Sequence, residues 1–216
     1  MICAVFDIDD TLYLERDYVC SGFQTVGEWV ARWFQVADFG ERCWCKFAAG
    51  QRRSIFDSVL GECGIRSTPE LISALVSLYR THVPRIALAP DVLDVLNAFA
   101  PIAIISDGPM VAQSRKVEAL RLATYASPIV LTETLGPEFS KPHPAAFEYV
   151  MEQRPADGYI YIADNPLKDF TAPKQLRWFT ARIRRPGSLH YELENKVAPD
   201  FELQECSELS GVLAQL

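Results

Sequence analysis

The chain has 216 residues, of which 49% are hydrophobic, enough for one ordinary α/β domain plus a small accessory unit. Its 28 acidic and 21 basic groups leave a net charge of −7, a poor basis for non-specific nucleic-acid binding, although one basic pocket would still serve a small anion. No run of about 20 apolar residues marks a membrane span, and the six cysteines are scattered. A reduced, cytoplasmic protein without a leader is the expectation, with Cys43 and Cys45 as free thiols on a helix rather than zinc ligands.

Ile2 to Phe6 is a short apolar run that stops at Asp7, the pattern of a buried strand ending in a polar loop. Phe23, Val26, Val30 and Trp33 then fall at helical spacing between about Tyr18 and Phe34. Shorter helices are expected over 40–49 and 54–61. Thr68-Pro69-Glu70 forms an N-cap and first turn for a helix carrying Leu71, Leu75 and Leu78. No strand pattern appears between Leu14 and about Leu88, and Trp29, Trp33 and Trp44 read as core of this helical stretch.

After Pro90 the pattern changes. A helix over 91–99 stops at Pro101. Strands are expected at 102–105, 129–131, 159–163, 178–183 and 201–203. Helices are expected from Gly108 to about Leu122, over 145–152 and 167–176, and from about Glu208. Alternating strands and helices predict a doubly wound parallel sheet. The core should comprise residues 1–13 and 89–216, with 14–88 as a small all-helical cap.

Three strands end in unusual polar groups: Asp7-Ile8-Asp9-Asp10-Thr11, Ser106-Asp107-Gly108 and Asp164-Asn165. In open α/β sheets ligands bind at the carboxyl ends of the strands, so these groups should converge, and Lys141 could join them. Crowded carboxylates favour a hard cation, and magnesium suits carboxylates plus phosphate oxygens. One carboxylate could attack phosphorus and a second could move the proton, while a hydroxyl, an amide and a lysine hold the remaining oxygens.

With these residues in hand, the chain resembles the haloacid dehalogenase superfamily, whose four motifs occur in order. Asp7-Ile8-Asp9-Asp10-Thr11-Leu12 matches the first and Ser106 the second. Lys141 in Ser140-Lys141-Pro142-His143-Pro144 matches the third, and Asp164 with Asp169 the fourth. The resemblance implies a Rossmann-like core, a helical cap inserted after the first motif, and Mg2+ as cofactor. It implies Asp7 as nucleophile and metal ligand, and Asp9 as general acid/base with its carbonyl on the metal. Thr11 would support the loop, and Ser106, the Asp107 amide and Lys141 would bind phosphate. Asp164 would be a metal ligand, with Asp169 acting directly or through water.

Asp10 stands where the family often has Gly, His143 where it often has Asp, and Ala163 where it usually has Gly. Asp9 favours a phosphatase over a dehalogenase, which resembles this pattern but lacks the second carboxylate. The expected reaction is hydrolysis of a small phosphorylated molecule, a sugar phosphate or nucleoside monophosphate, through an aspartyl-phosphate. A phosphomutase and a non-catalytic binding module are the rivals. Arg16, Arg184 and Arg185 are candidate substrate contacts, the latter two at the end of the fifth strand. Arg52 and Arg53 read as exposed helix charges, and His143 as structural.

Overall fold

A computed structural model describes residues 2–214. The chain divides into two compact units, one of residues 1–16 and 86–216 and one of residues 17–85.

The larger unit is built on a six-stranded parallel sheet. Its strands are β1 (Ile2–Phe6), β2 (Ile102–Ser106), β3 (Ala126–Leu131), β4 (Gly158–Ala163), β5 (Phe179–Ile183) and β6 (Phe201–Leu203). They lie in the order β3-β2-β1-β4-β5-β6. The order reverses between β1 and β4, so the crevice at their carboxyl ends is the place where such a sheet accepts a ligand. The β1 and β2 strands are nearly continuous apolar runs because both faces are covered. On one face Val5, Ile105, Val130, Phe147, Tyr161, Phe170 and Trp178 form a common core. Phe147 meets Tyr161 and Trp178 edge-on, with centroids 4.9 and 5.4 Å away.

The crossover helices α5 (Leu93–Phe99), α6 (Met110–Ala119), α7 (Ala145–Gln153) and α8 (Thr171–Gln175), with α9 (Leu209–Leu213), complete this unit. They are numbered after the four helices of the inserted unit. Among the boundaries that differ from the sequence reading, three have a physical reason in the contacts. β3 starts three residues early because it is an edge strand, where Pro128 is tolerated. α5 starts at Leu93 because the Asp91 carboxylate is taken by Arg185 and by the Cys206 amide. α8 is short because residues 165–169 form a turn, in which the Leu167 amide donates to Asn165 Oδ1 at 3.0 Å.

The chain leaves and re-enters the larger unit at neighbouring points, since the Ala89 amide donates to the Leu12 carbonyl at 2.9 Å. The intervening unit is helical: α1 (Glu15–Phe34, entering from the larger unit), α2 (Phe39–Ala48), α3 (Ile55–Glu62) and α4 (Pro69–Thr81). Thr68 caps α4 by accepting from the Leu71 amide at 3.2 Å. Gly27 and Gly40 let α1 and α2 touch backbone to backbone; a Cβ on Gly27 would lie 2.8 Å from the Gly40 nitrogen. Phe23, Phe39, Phe47 and Phe56 fill its core. Trp33 corrects the expectation for the tryptophans: it is 64% exposed, with its ring against Trp29 of the same helix and beneath Arg32. All six cysteines are free thiols.

Candidate active site

The register of β1 on β4 pairs Phe6 with Ile162, and the Asp7 amide donates to the Ile162 carbonyl at 2.9 Å. Asp7 and Asp164 therefore leave adjacent strands side by side. The turn after Asp164 brings back Asp169, whose Oδ2 accepts from the Asn165 amide at 2.9 Å. Asp7, Asp164 and Asp169 are buried, and each offers a carboxylate oxygen within 4.8 Å of the others.

Lys141 is the counter-charge to this group. Its Nζ lies 3.1 Å from Asp7 Oδ1 and 2.8 Å from Asp169 Oδ1, and it donates to the Tyr161 hydroxyl at 2.9 Å. Burial would depress the ammonium, but Asp169 and Asp7 outweigh it and hold Lys141 protonated well above the ordinary range. One ammonium does not balance three carboxylates. Burial, opposed by Lys141 and helped by Asp169, pushes Asp7 up to about 6. Burial first, then Asp169 and Asp7, also raise Asp164 well above the ordinary carboxylate range. Three buried hard oxygen donors whose charges are this costly make a donor set that fits a small divalent cation.

Around this centre the loops are tied by their own carboxylates. Asp107 Oδ1 accepts from the Lys141 amide at 3.1 Å and from Thr132 Oγ1 at 2.8 Å, while Lys168 Nζ lies 2.6 Å from Asp107 Oδ2. Burial alone would raise Asp107, but Lys141 and Lys168 lower it. Ser106, at the carboxyl end of β2, is buried with no hydrogen-bond partner for its Oγ among the described residues. A buried hydroxyl without a partner is costly unless a ligand supplies one.

Asp10 has φ +53°, the left-handed backbone that Gly and Asp tolerate, which explains both residue types at this place. Its carboxylate accepts from the Glu15 amide at 2.8 Å and the Leu189 amide at 2.7 Å. His190 Nδ1 lies 2.7 Å from Asp164 Oδ2, and its Nε2 lies 3.2 Å from Asn165 Nδ2. An acceptor role at Nε2 leaves the proton on Nδ1, directed at Asp164. Arg182, fully buried, donates to the Asp164 carbonyl at 3.3 Å and to the His190 carbonyl at 2.8 Å.

Asp9 points elsewhere. Its two oxygens meet Lys116 Nζ at 2.7 and 2.8 Å, Gln113 Nε2 at 2.9 Å and the Tyr13 hydroxyl. Burial opposes ionisation, yet the Lys116 charge and these donors hold the Asp9 carboxyl below its ordinary value.

Among the sequence candidates, Asp7, Lys141, Asp164 and Asp169 meet directly, and the Asp107 carboxylate accepts from the Lys141 backbone amide. Thr11 braces the loop through its carbonyl, which accepts from Arg185 Nη2 at 3.1 Å. Two of the three candidate arginines have protein partners. Arg185 is spent on Asp91, at 2.6 and 3.0 Å, and on Thr11. Arg184 is spent on the carbonyls of Tyr191 and Leu193, at 2.8 and 3.2 Å. Arg16 lies in the first turn of α1, its guanidinium beside Gly187. His143 accepts from the Ala145 amide at 3.2 Å, a structural role.

Gln113, Lys116, Lys168, Tyr161 and His190 were not legible as site residues. Gln113 and Lys116 had a signal, being three apart on the helix that follows Ser106-Asp107-Gly108. Lys168 directly precedes Asp169. His190 reaches the site only through the fold of the 184–200 loop.

A family model for haloacid dehalogenase-like hydrolases matches residues 2–176. A search of curated proteins returned no match. Among solved structures, the HAD-hydrolase YfnB of Bacillus subtilis, bound to magnesium, is similar with TM-score 0.68 and 18% identity, over 98% of each chain. The L-2-haloacid dehalogenase of Xanthobacter autotrophicus is similar with TM-score 0.64 and 17% identity, over 100% of each chain. A HAD phosphatase from Thermococcus onnurineus is similar with TM-score 0.62 and 18% identity, over 99% of this chain and 98% of that one. At these identities the likeness shows the fold.

Proposed function

The chain belongs to the haloacid dehalogenase-like hydrolases, and from that premise we propose that it hydrolyses a small phosphate monoester, with magnesium, through an aspartyl-phosphate on Asp7. The observation that carries this reading is Asp9, a second carboxylate held by dedicated partners two residues from the nucleophile. A halide leaves a carbon centre without a proton. An alkoxide leaving phosphorus needs one, and a phosphoryl-enzyme needs a base to activate water.

In this reading each residue takes one role. Asp7 attacks phosphorus, forming the carboxylate–phosphorus bond while the bond to the leaving oxygen breaks. Asp9, which takes up a proton before the first step, delivers it to that oxygen, then takes one from the water that cleaves the acyl phosphate and restores Asp7. Lys141 and the unsatisfied Ser106 hydroxyl hold phosphoryl oxygens. Magnesium on Asp7, Asp164 and Asp169, with the Asp9 carbonyl, would supply charge neutralisation of the phosphoryl group. His190 and Arg182 fix Asp164 from behind.

The helical unit of residues 17–85 is proposed as the cap that selects the substrate, with sugar phosphates and nucleoside monophosphates as the first compounds to try. Cytoplasmic residence belongs to the same proposal, supported by the six free thiols. The test is inorganic phosphate release from a monoester panel, with magnesium and with EDTA. Metal-dependent release from a narrow subset is expected. An isomeric phosphate ester in place of inorganic phosphate would make the protein a mutase. No release from any compound by folded, metal-loaded protein would contradict the reading.

A further inference from the structure

Lys116 and Gln113 form a clamp whose geometry has no part in phosphate binding as described above. Both residues lie on α6, one turn apart, and both are buried. The Lys116 side chain is 4% exposed, and its Nζ straddles the two Asp9 oxygens at 2.7 and 2.8 Å. Gln113 Nε2 bridges Asp9 Oδ2 at 2.9 Å and the Asp107 carbonyl at 2.6 Å. Gly108 makes room for that bridge: its φ is +130°, and a Cβ there would lie 2.8 Å from Gln113 Nε2. The Tyr13 hydroxyl, kept protonated by burial and by Asp9, gives a further donor.

A carboxylate at the end of one rotatable bond pair is ordinarily free to swing. Here charge, a bidentate contact and a bridge to the loop of Ser106 fix its plane and its distance from that loop. We infer that Lys116 and Gln113 are positioning residues for Asp9, holding the acid/base carboxylate in register with the phosphate-binding loop. The inference rests on the phosphatase reading above for its catalytic meaning, but the contact itself does not.

The test is a pair of double-mutant cycles on Asp9→Asn and Lys116→Met. In the first, turnover of p-nitrophenyl phosphate is measured with magnesium. Lys116→Met is expected to lower kcat about 10- to 100-fold with KM unchanged, within the ~10²–10⁴ that an acid/base group contributes. Asp9→Asn with Lys116→Met should be no slower than Asp9→Asn alone. Lys116→Arg, which keeps the charge, should recover most of the rate. In the second cycle, thermal unfolding is followed in metal-free protein without substrate. Lys116→Met should lower Tm, and Asp9→Asn should remove most of that loss. Gln113→Leu, which leaves no ammonium or carboxylate without its ion-pair partner, carries both cycles if Lys116→Met does not fold.

Multiplicative losses of rate, or a raised KM with kcat unchanged, would overturn the inference and make Lys116 a substrate contact or a merely structural group. Uncoupled melting with hydrolysis intact refutes the clamp and leaves the phosphatase reading standing. Coupled melting in a wild-type protein that hydrolyses no ester refutes the phosphatase reading, and the catalytic sense of the clamp with it.

Discussion

Replacing Asp7, the proposed nucleophile, should stabilise the metal-free protein. Asp7 stands at about 6 in the folded chain against an ordinary 3.8, with burial as the first cause. At roughly 1.4 kcal/mol per pH unit, ionising it there costs the folded state about 3 kcal/mol at pH 8. Asp7→Asn keeps the shape and removes the charge. Lys141 loses one contact but keeps Asp169 at 2.8 Å and the Tyr161 hydroxyl at 2.9 Å, so a net gain of about 2 kcal/mol is expected. For a unit of this size that is a Tm about 4–8 °C higher. The sign with pH follows from linkage. A carboxyl raised on folding binds more protons in the native state, so wild-type stability falls as pH rises from about 4 through about 6. The advantage of Asp7→Asn is therefore fullest above pH 6 and shrinks towards pH 4. Thermal unfolding in EDTA at a series of pH values reads this directly, beside loss of phosphate release in magnesium. A variant that melts no higher than wild type at pH 8, or whose advantage grows as the pH falls, would refute the electrostatic reasoning.

Lys141→Met should do the opposite, leaving Asp7 and Asp169 buried without their ammonium and costing about 3–5 kcal/mol; chemical denaturation should show it, together with loss of turnover. Arg185→Met should lower Tm by removing the pair with Asp91 and leave KM unchanged for every accepted substrate; a changed KM would return Arg185 to the list of substrate contacts. Magnesium should raise Tm more at pH 8 than at pH 5.5, because metal and protons compete for Asp7 and Asp164; an equal rise at both would place the metal elsewhere.

The edge that carries the candidate site was legible because backbone topology alone brings its parts together. Buried apolar runs that end in Asp7, Ser106 and Asp164 must leave a parallel sheet on one edge, whatever the loops do. Lys141 and Asp169 sit within short turns of those ends, so little depended on long-range packing. What escaped was set by side-chain reach. Arg184 and Arg185 end a strand at the right edge, but the 184–200 loop folds back and offers carbonyls to one, while Asp91 captures the other. His190 is brought to Asp164 by that same loop, which carries no periodic pattern. Gln113 and Lys116 share one face of the helix after Ser106-Asp107-Gly108, but only the packing of α6 against the first loop makes them partners of Asp9. Trp33 failed in the same way, since helical spacing marks a face but not where the neighbouring helices end.

The most direct measurement of the central claim is to trap the phosphoryl group. Asp9→Asn protein should be mixed with magnesium and p-nitrophenyl phosphate, whose leaving group needs no proton from Asp9, then quenched in acid, digested and examined by mass spectrometry. A phosphoryl group on the peptide carrying Asp7, released by hydroxylamine and absent from Asp7→Asn protein, is the expected result. Steady hydrolysis by wild type with no label on Asp7 in the slowed variant, or with label on another residue, would contradict the assignment of Asp7 as the nucleophile.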